Sequence, residues 1–208
     1  MWYPESVSVA AGSEPVTAAQ VKQQCGISTG DTTYDALITR MIASERAYVE
    51  KHCGIRIVTQ TIIAKCDSFC DFGRLPFGPV QSISSVSYVD VDGANQTLAT
   101  SVYETRADGL EALIVLKYNQ SWPAIQPGSR IAVTAVVGWS SVPSDLQSAI
   151  LLRIGRLFFS SKGTDQLLRR DQVDGLGSKE WDTTGSMDAV SARAVADLLE
   201  NYRCWPLA

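Results

Sequence analysis

The feature that most constrains this chain is a double change of hydrophobic period. Before Gly54 the apolar residues recur at spacings of three and four; between Ile55 and Gly138 the order is strand-like; after Pro143 the helical spacing returns. A continuous stretch of β character is therefore set inside a helical frame. Two faces of different geometry must be covered, a pleated one and a helical one.

The helical signals are explicit. Thr17-Ala-Ala-Gln20 reads as a capping box, with Val16 and Val21 as its hydrophobic staple and Gly26 as the stop. A second helix is expected after Ser28-Thr-Gly, capped by Asp31 or Thr32. Tyr34, Leu37, Ile38, Met41, Ile42, Tyr48 and Val49 form its apolar stripe. Glu45 and His52 interrupt that stripe, which predicts a face meeting water or a partner, and Gly54 closes the helix. A third helix is expected from Pro143, with Leu146, Ile150, Leu151, Ile154, Leu157 and Phe158 on one side. A fourth is expected from about Asp188 to Tyr202, with Val190, Ala194, Val195, Leu198, Leu199 and Tyr202 as its apolar stripe.

Between them, IRIVTQTIIAK, ISSVSYVDV, NQTLA, SVYETR, EALIVLKY and SRIAVTAVVGW are rich in β-branched and aromatic residues, about six strands. Asp92-Gly93 and Asp108-Gly109 mark hairpins. The link from Asn119 to Ser129 carries Trp122 and is expected to be a loop pinned by that aromatic. The fold class is α+β: a small bundle of about four helices with an antiparallel β module between helices two and three. The expected division is 1–54 for the first two helices, 55–138 for the β module, and 139–208 for the rest of the bundle and the tail.

Composition narrows the function. Charged residues are 19% of the 208, below the usual value of about 25%, and apolar residues are 45%. That surplus leaves room for surface covered only in an assembly. Eighteen Lys and Arg against 22 Asp and Glu give a net charge of −4, and the densest basic spot, Arg169-Arg170, is followed at once by Asp171. Gripping duplex phosphates takes clustered basic residues, so avid DNA binding is not expected. The apolar run Ala149 to Phe159 is interrupted by Arg153 and Arg156 and is too short for a membrane span. The opening residues, MWYPESVSVAAGSEP, lack a secretory pattern, so synthesis in the cytosol is expected.

Catalytic motifs are weak. Gly138-Trp-Ser140-Ser-Val142 has the front of a nucleophile elbow without its last glycine, and His52 is the one histidine available as base. The competing reading makes Trp139 a plug and Ser141 or Ser144 a cap for the third helix. Ser161-Lys-Gly-Thr164 holds phosphate-loop letters in the wrong order, and Asp90 and Asp92 share a hairpin tip. His52-Cys53 with Cys66 and Cys70 has a poor spacing for zinc, so the five cysteines read as free thiols. No cofactor, no metal and no catalytic residue is expected.

The phrases EPVTAAQVKQQCGI, DALITRMIASERAYVEKHCG, LPFGPVQSISSVSYVDVDGANQTL, YNQSWPAI, VPSDLQSAILLRIGRLF and LLENYRC, in that order, resemble the head–tail connector (adaptor) proteins of long-tailed double-stranded DNA bacteriophages and prophages. The resemblance runs from about Glu14 to Arg203, and departs at Lys162 to Gly185 and at the last four residues. It implies a structural, non-enzymatic protein at the virion neck. Its partners are copies of itself in a ring of twelve, the portal protein, and a stopper or tail-completion protein. Double-stranded DNA passes through without specific binding, and no membrane is involved. A stopper or tail-terminator protein is the alternative.

Three sets of residues follow as candidates. Tyr202, Arg203, Trp205, Pro206 and Leu207 are expected to dock to the portal, Trp205 being the anchor, unless Trp205 folds back on its own bundle. Arg169, Arg170 and Trp181 stand in the long segment from Ser160 to Met187, expected to be a loop that orders on assembly. Asp90, Asp92, Gly93 and Asn95 are expected at an exposed β tip, and the Cys70–Pro79 turn is expected to be exposed as well.

Overall fold

A computed structural model describes residues 1–162, 170–173, 177–180 and 186–204. The chain divides into two units: residues 15–49 with 143–201, and residues 1–14 with 50–142 and 202–208.

The first unit is helical. Here α1 (Ala18–Gln24) begins as the sequence predicts: the Gln20 amide donates to Thr17 Oγ1 at 3.2 Å, and the Thr17 amide donates to Gln20 Oε1 at 2.7 Å. Val16 and Val21 are buried around this cap. At the other end the Gly26 amide donates to Gln23 O and the Ile27 amide to Lys22 O, the paired bonds of a Schellman stop. The second helix, α2 (Asp35–Cys53), starts later than expected. Asp31 and Thr32 build the turn before it, where Asp31 Oδ1 accepts from the Thr33 amide at 2.9 Å and Thr32 O accepts from the Asp35 amide.

Its apolar stripe is buried at Ile38, Met41, Ile42 and Val49, as are Leu146, Ala149, Ile150, Ile154 and Phe158 on α3 (Ser144–Lys162). Tyr34 meets Phe158 edge-on at 5.4 Å. The helix α3 also packs on α1 and on α4 (Ser186–Glu200), which contributes Val195 and Leu199 to the buried set.

The other unit is built on a five-stranded antiparallel sheet ordered β1 (Ser6–Val9), β2 (Gln60–Cys66), β7 (Ile131–Val137), β3 (Val80–Val89) and β4 (Asn95–Thr97). The register sets Ile62 opposite Ala135, Ala64 opposite Val133 and Cys66 opposite Ile131. These residues alternate with less buried neighbours along both strands, so one face of the sheet is core. A separate hairpin, β5 (Tyr103–Asp108) and β6 (Glu111–Leu116), adds Tyr103, Ala112 and Ile114 to that same core. The six strands and both hairpins expected between Ile55 and Gly138 are all present.

Four elements depart from the expectation. The strand β1 precedes the module in sequence yet forms the edge of its sheet, beside β2. A short 3-10 helix, Phe69–Gly73, capped by Ser68, drives Phe69 and Phe72 into the core. Between α3 and α4 the described residues form an antiparallel pair, β8 (Arg170–Val173) with β9 (Gly177–Glu180), where a loop was expected. The α+β class, with a β module between helices two and three, stands.

Candidate assembly surfaces

Each candidate surface is set by its local chemistry. The tip between β3 and β4 is closed by Asp90, whose Oδ1 accepts from the amides of Asp92 at 3.0 Å and Ala94 at 2.9 Å. Its Oδ2 accepts from the Gln96 side chain at 2.8 Å. These donors, Gln96 first, hold the Asp90 carboxyl below the usual aspartate range. Gly93 takes a φ of +82°, the left-handed geometry the turn requires. Asp92, Gly93 and Asn95 are exposed and Asp90 is half-buried. The tip is thus a rigid acidic projection, fixed by its own backbone bonds.

The Cys70–Pro79 turn, expected to be exposed, is corrected by the structure. Cys70 and Pro76 are exposed, but Phe72, Leu75, Phe77 and Pro79 are buried. The reason is aromatic packing. Trp2 stacks on Phe72 at 6.1 Å and meets Phe77 edge-on at 6.3 Å. The Trp2 indole N–H is within 3.1 Å of two acceptors, Asp71 O and Arg74 O. Trp122 pins its loop as expected, stacked on Phe69 at 4.8 Å and edge-on to Phe72 at 5.5 Å.

Glu45 is a second correction. It does not open the α2 stripe to water; it is buried and paired with Arg153 of α3. The sequence hides this because the partner stands more than a hundred positions away.

At the carboxyl end, Tyr202 and Arg203 are half-buried. Tyr202 meets Trp139 edge-on at 5.9 Å, and the Cys204 amide donates to Cys53 O at 2.8 Å. Trp205, Pro206 and Leu207 lie outside the described residues, as do Arg169 and Trp181; Arg170 opens β8, with its side chain outside the description.

Some residues of the weak chemical motifs have defined structural places. Gly138 has a φ of +93°, and a Cβ there would strike the Val58 carbonyl, so this glycine serves a close backbone crossing. Ser140 is exposed in the turn that follows. Burial raises the thiol of Cys53 to about 11 and that of Cys66 to about 12. Cys66 Sγ donates to Ser68 O at 3.5 Å. Among the described residues no group of three or more His, Cys, Asp or Glu could hold a metal ion. No helix among them is long and apolar enough to cross a membrane.

Several apolar side chains are exposed. On the helical unit these are Tyr48, Leu157 and Val190, which the sequence places in the helices' apolar stripes, and Phe159. On the sheet unit they are Val7 and Val9 of the edge strand β1, and Tyr118, which is 99% exposed. The alternating Ser6-Val-Ser-Val9 could have announced β1; nothing in Lys117-Tyr-Asn announces Tyr118. Single apolar residues at a surface are ordinary, but the helical unit leaves four on three of its helices.

Against known proteins, no family model and no curated protein matches this chain. Solved structures do. The chain is similar to one in "Neck of empty GTA particle computed with C6 symmetry", at 16% identity over 99% of this chain and 98% of that one, with a TM-score of 0.67. It is similar to one in "Virion of native gene transfer agent (GTA) particle", at 16% identity over 98% and 97%, again with a TM-score of 0.67. A third, in "Neck of native GTA particle computed with C12 symmetry", is 18% identical over 96% and 97% with a TM-score of 0.59. At such identities the shared property is the fold, end to end in both chains.

Proposed function

We propose that this chain is a structural neck protein of a phage-like particle: a head–tail connector (adaptor) that forms a ring of twelve beneath the portal at the capsid vertex. In that place it extends the DNA channel and offers a platform to the stopper or tail. The observation that carries the reading is the full-length fold match to chains of gene transfer agent neck and virion structures.

The surface chemistry supports it. A ring built of head-to-tail contacts needs two different adhesive faces on each copy. The helical unit exposes Leu157, Phe159, Tyr48 and Val190, and the sheet unit exposes Val7, Val9 and Tyr118. The net charge of −4 suits a channel wall past which duplex slides without capture. The segment after Cys204, with Trp205, Pro206 and Leu207, is the proposed portal plug. The tip at Asp90, Asp92, Gly93 and Asn95, and the segment bearing Arg169, Arg170 and Trp181, are the proposed contacts to neighbours or the next ring.

The test is reconstitution on purified portal, read by cryo-electron microscopy. The expected result is a layer of twelve copies stacked on the portal, lost when residues 205–208 are removed while the far-ultraviolet dichroism stays unchanged. Density for this chain in a more distal layer would transfer it to the stopper class. Absence from the neck altogether would overturn the reading.

A further inference from the structure

We propose that Cys53 and Cys204 form a redox-sensitive staple, a disulfide that fixes the carboxyl-terminal segment to the last turn of α2. The geometry is already in place. The Cys204 amide donates to Cys53 O at 2.8 Å. A disulfide needs Cα atoms ~4.4–6.8 Å apart, and a backbone-to-backbone bond of this length is compatible with that separation. Gly54, next to Cys53, has a φ of +68°, and a Cβ there would lie 3.0 Å from Cys204 O and 3.7 Å from Cys204 Cβ. The two backbones are therefore in van der Waals contact at this point; neither cysteine is in a disulfide, and Cys204 Sγ donates to Leu110 O at 4.0 Å.

The alternatives are otherwise engaged. Cys66 is buried and bonded to Ser68 O, Cys25 is buried and belongs to the helical unit, and Cys70 is exposed on the 3-10 helix. Cys204 is half-buried, so an oxidant meets it before it meets Cys53. The oxidant required is a hydroperoxide. It converts the Cys204 thiol to a sulfenic acid with release of water. The Cys53 sulfur then attacks the Cys204 sulfur; the S–S bond forms, the S–O bond breaks, and hydroxide leaves with the Cys53 proton as a second water. Two thiols have lost two protons and two electrons, and the peroxide has taken them up.

The charges around each thiol set the pace. Cys53 is held up at about 11 by burial, opposed by Arg203 and reinforced by Cys204; Cys204 is raised by burial and Glu111, opposed by Arg74. Few Cys53 thiolates exist at neutral pH, so the bond sets slowly. That suits a fastening made after the protein leaves a reducing cytosol, a timing that rests on the neck reading, although the chemistry does not.

The experiment uses the full chain carrying Cys70→Ser, which removes the exposed competitor. It is treated with hydrogen peroxide at pH 8 and mapped by mass spectrometry without reduction. The expected result is a peptide pair linked through Cys53 and Cys204, with loss of two hydrogens reversed by dithiothreitol. The unfolding midpoint should rise by several degrees on oxidation, and Cys204→Ser should abolish both changes. Cys204 carried on to sulfinic acid while Cys53 remains alkylatable would overturn the staple, as would Cys204 linked to any other thiol. The readout is a bond within the isolated chain, so failure of the neck reading leaves it untouched.

Discussion

The guanidinium of Arg153 on α3 reaches the carboxylate of Glu45 on α2, and in doing so lies 3.6 Å over the ring of Tyr48. Glu45 is buried, with 6% of its side chain exposed, and Arg153 keeps 24%. Removing the cation strands a buried carboxylate. Arg153→Ala should therefore cost about 3 kcal/mol, read as a lower urea midpoint at unchanged slope. Adding Glu45→Leu to Arg153→Met should recover most of that loss, because the pair owes its cost to desolvation. Recovery would mark the pair as an alignment device between the helices.

Gly138 is a backbone requirement. Its positive φ and its contact with the Val58 carbonyl leave no room for a methyl group. The crossing is also held by the Gly138 amide on Pro79 O at 2.9 Å and the Trp139 amide on Ile57 O at 3.1 Å. Gly138→Ala should destabilise the protein by at least about 2 kcal/mol. Ser140→Ala, two residues on at an exposed site, should change stability by less than about 0.5 kcal/mol. Equal losses from the two would refute this assignment.

Trp122 anchors the loop between β6 and β7 by stacking on Phe69 with ring planes 2° apart. Truncation forfeits that stack and its edge contact with Phe72. Trp122→Ala should cost about 3 kcal/mol, whereas Trp122→Phe should cost about half as much. The indole's near-ultraviolet dichroism should be lost in both variants while the far-ultraviolet signal holds, a local loss separable from unfolding.

Cys66 gives the chain an alkaline weakness. Burial, with Asp71 adding to it, raises the thiol from an ordinary value of 9.0 to about 12. A thiol raised by folding contributes stability that is complete below its unfolded value and lost as pH climbs through the folded one. Chemical stability should fall between pH 9 and 12, and Cys66→Ala should flatten that slope at the cost of a small cavity. Identical slopes would assign the alkaline loss to other groups.

The aromatic lid over the sheet shows how far the sequence can be read. Trp122 could be recognised as a loop anchor from its place just before Pro123 in a link that holds two prolines, but its partners Phe69 and Phe72 could not. They lie in a segment that looks like an exposed turn, because Cys70, Asp71 and Gly73 are interleaved with them. Helix starts were readable where capping is local: the Thr17–Gln20 reciprocal bonds span three residues. They were misjudged at α2, where Asp31 and Thr32 serve the preceding turn instead. Of the candidate assembly residues, the Asp90 tip was legible because an Asp-Gly hairpin closes on itself. Tyr118 carried no signal, because exposure is a property of neighbours that fail to arrive.

The sequence by itself determined the four helices, the six strands between Ile55 and Gly138 with both hairpins, and most of the apolar stripes. These depend on contacts a few residues apart, which spacing records. Only the tertiary structure decided that Ser6–Val9 edges a sheet begun more than fifty residues later, that Glu45 is neutralised by Arg153, and that Cys204 returns to Cys53. Those pairings join distant parts of one chain, and they follow from which surfaces can exclude water together. A linear pattern does not encode that.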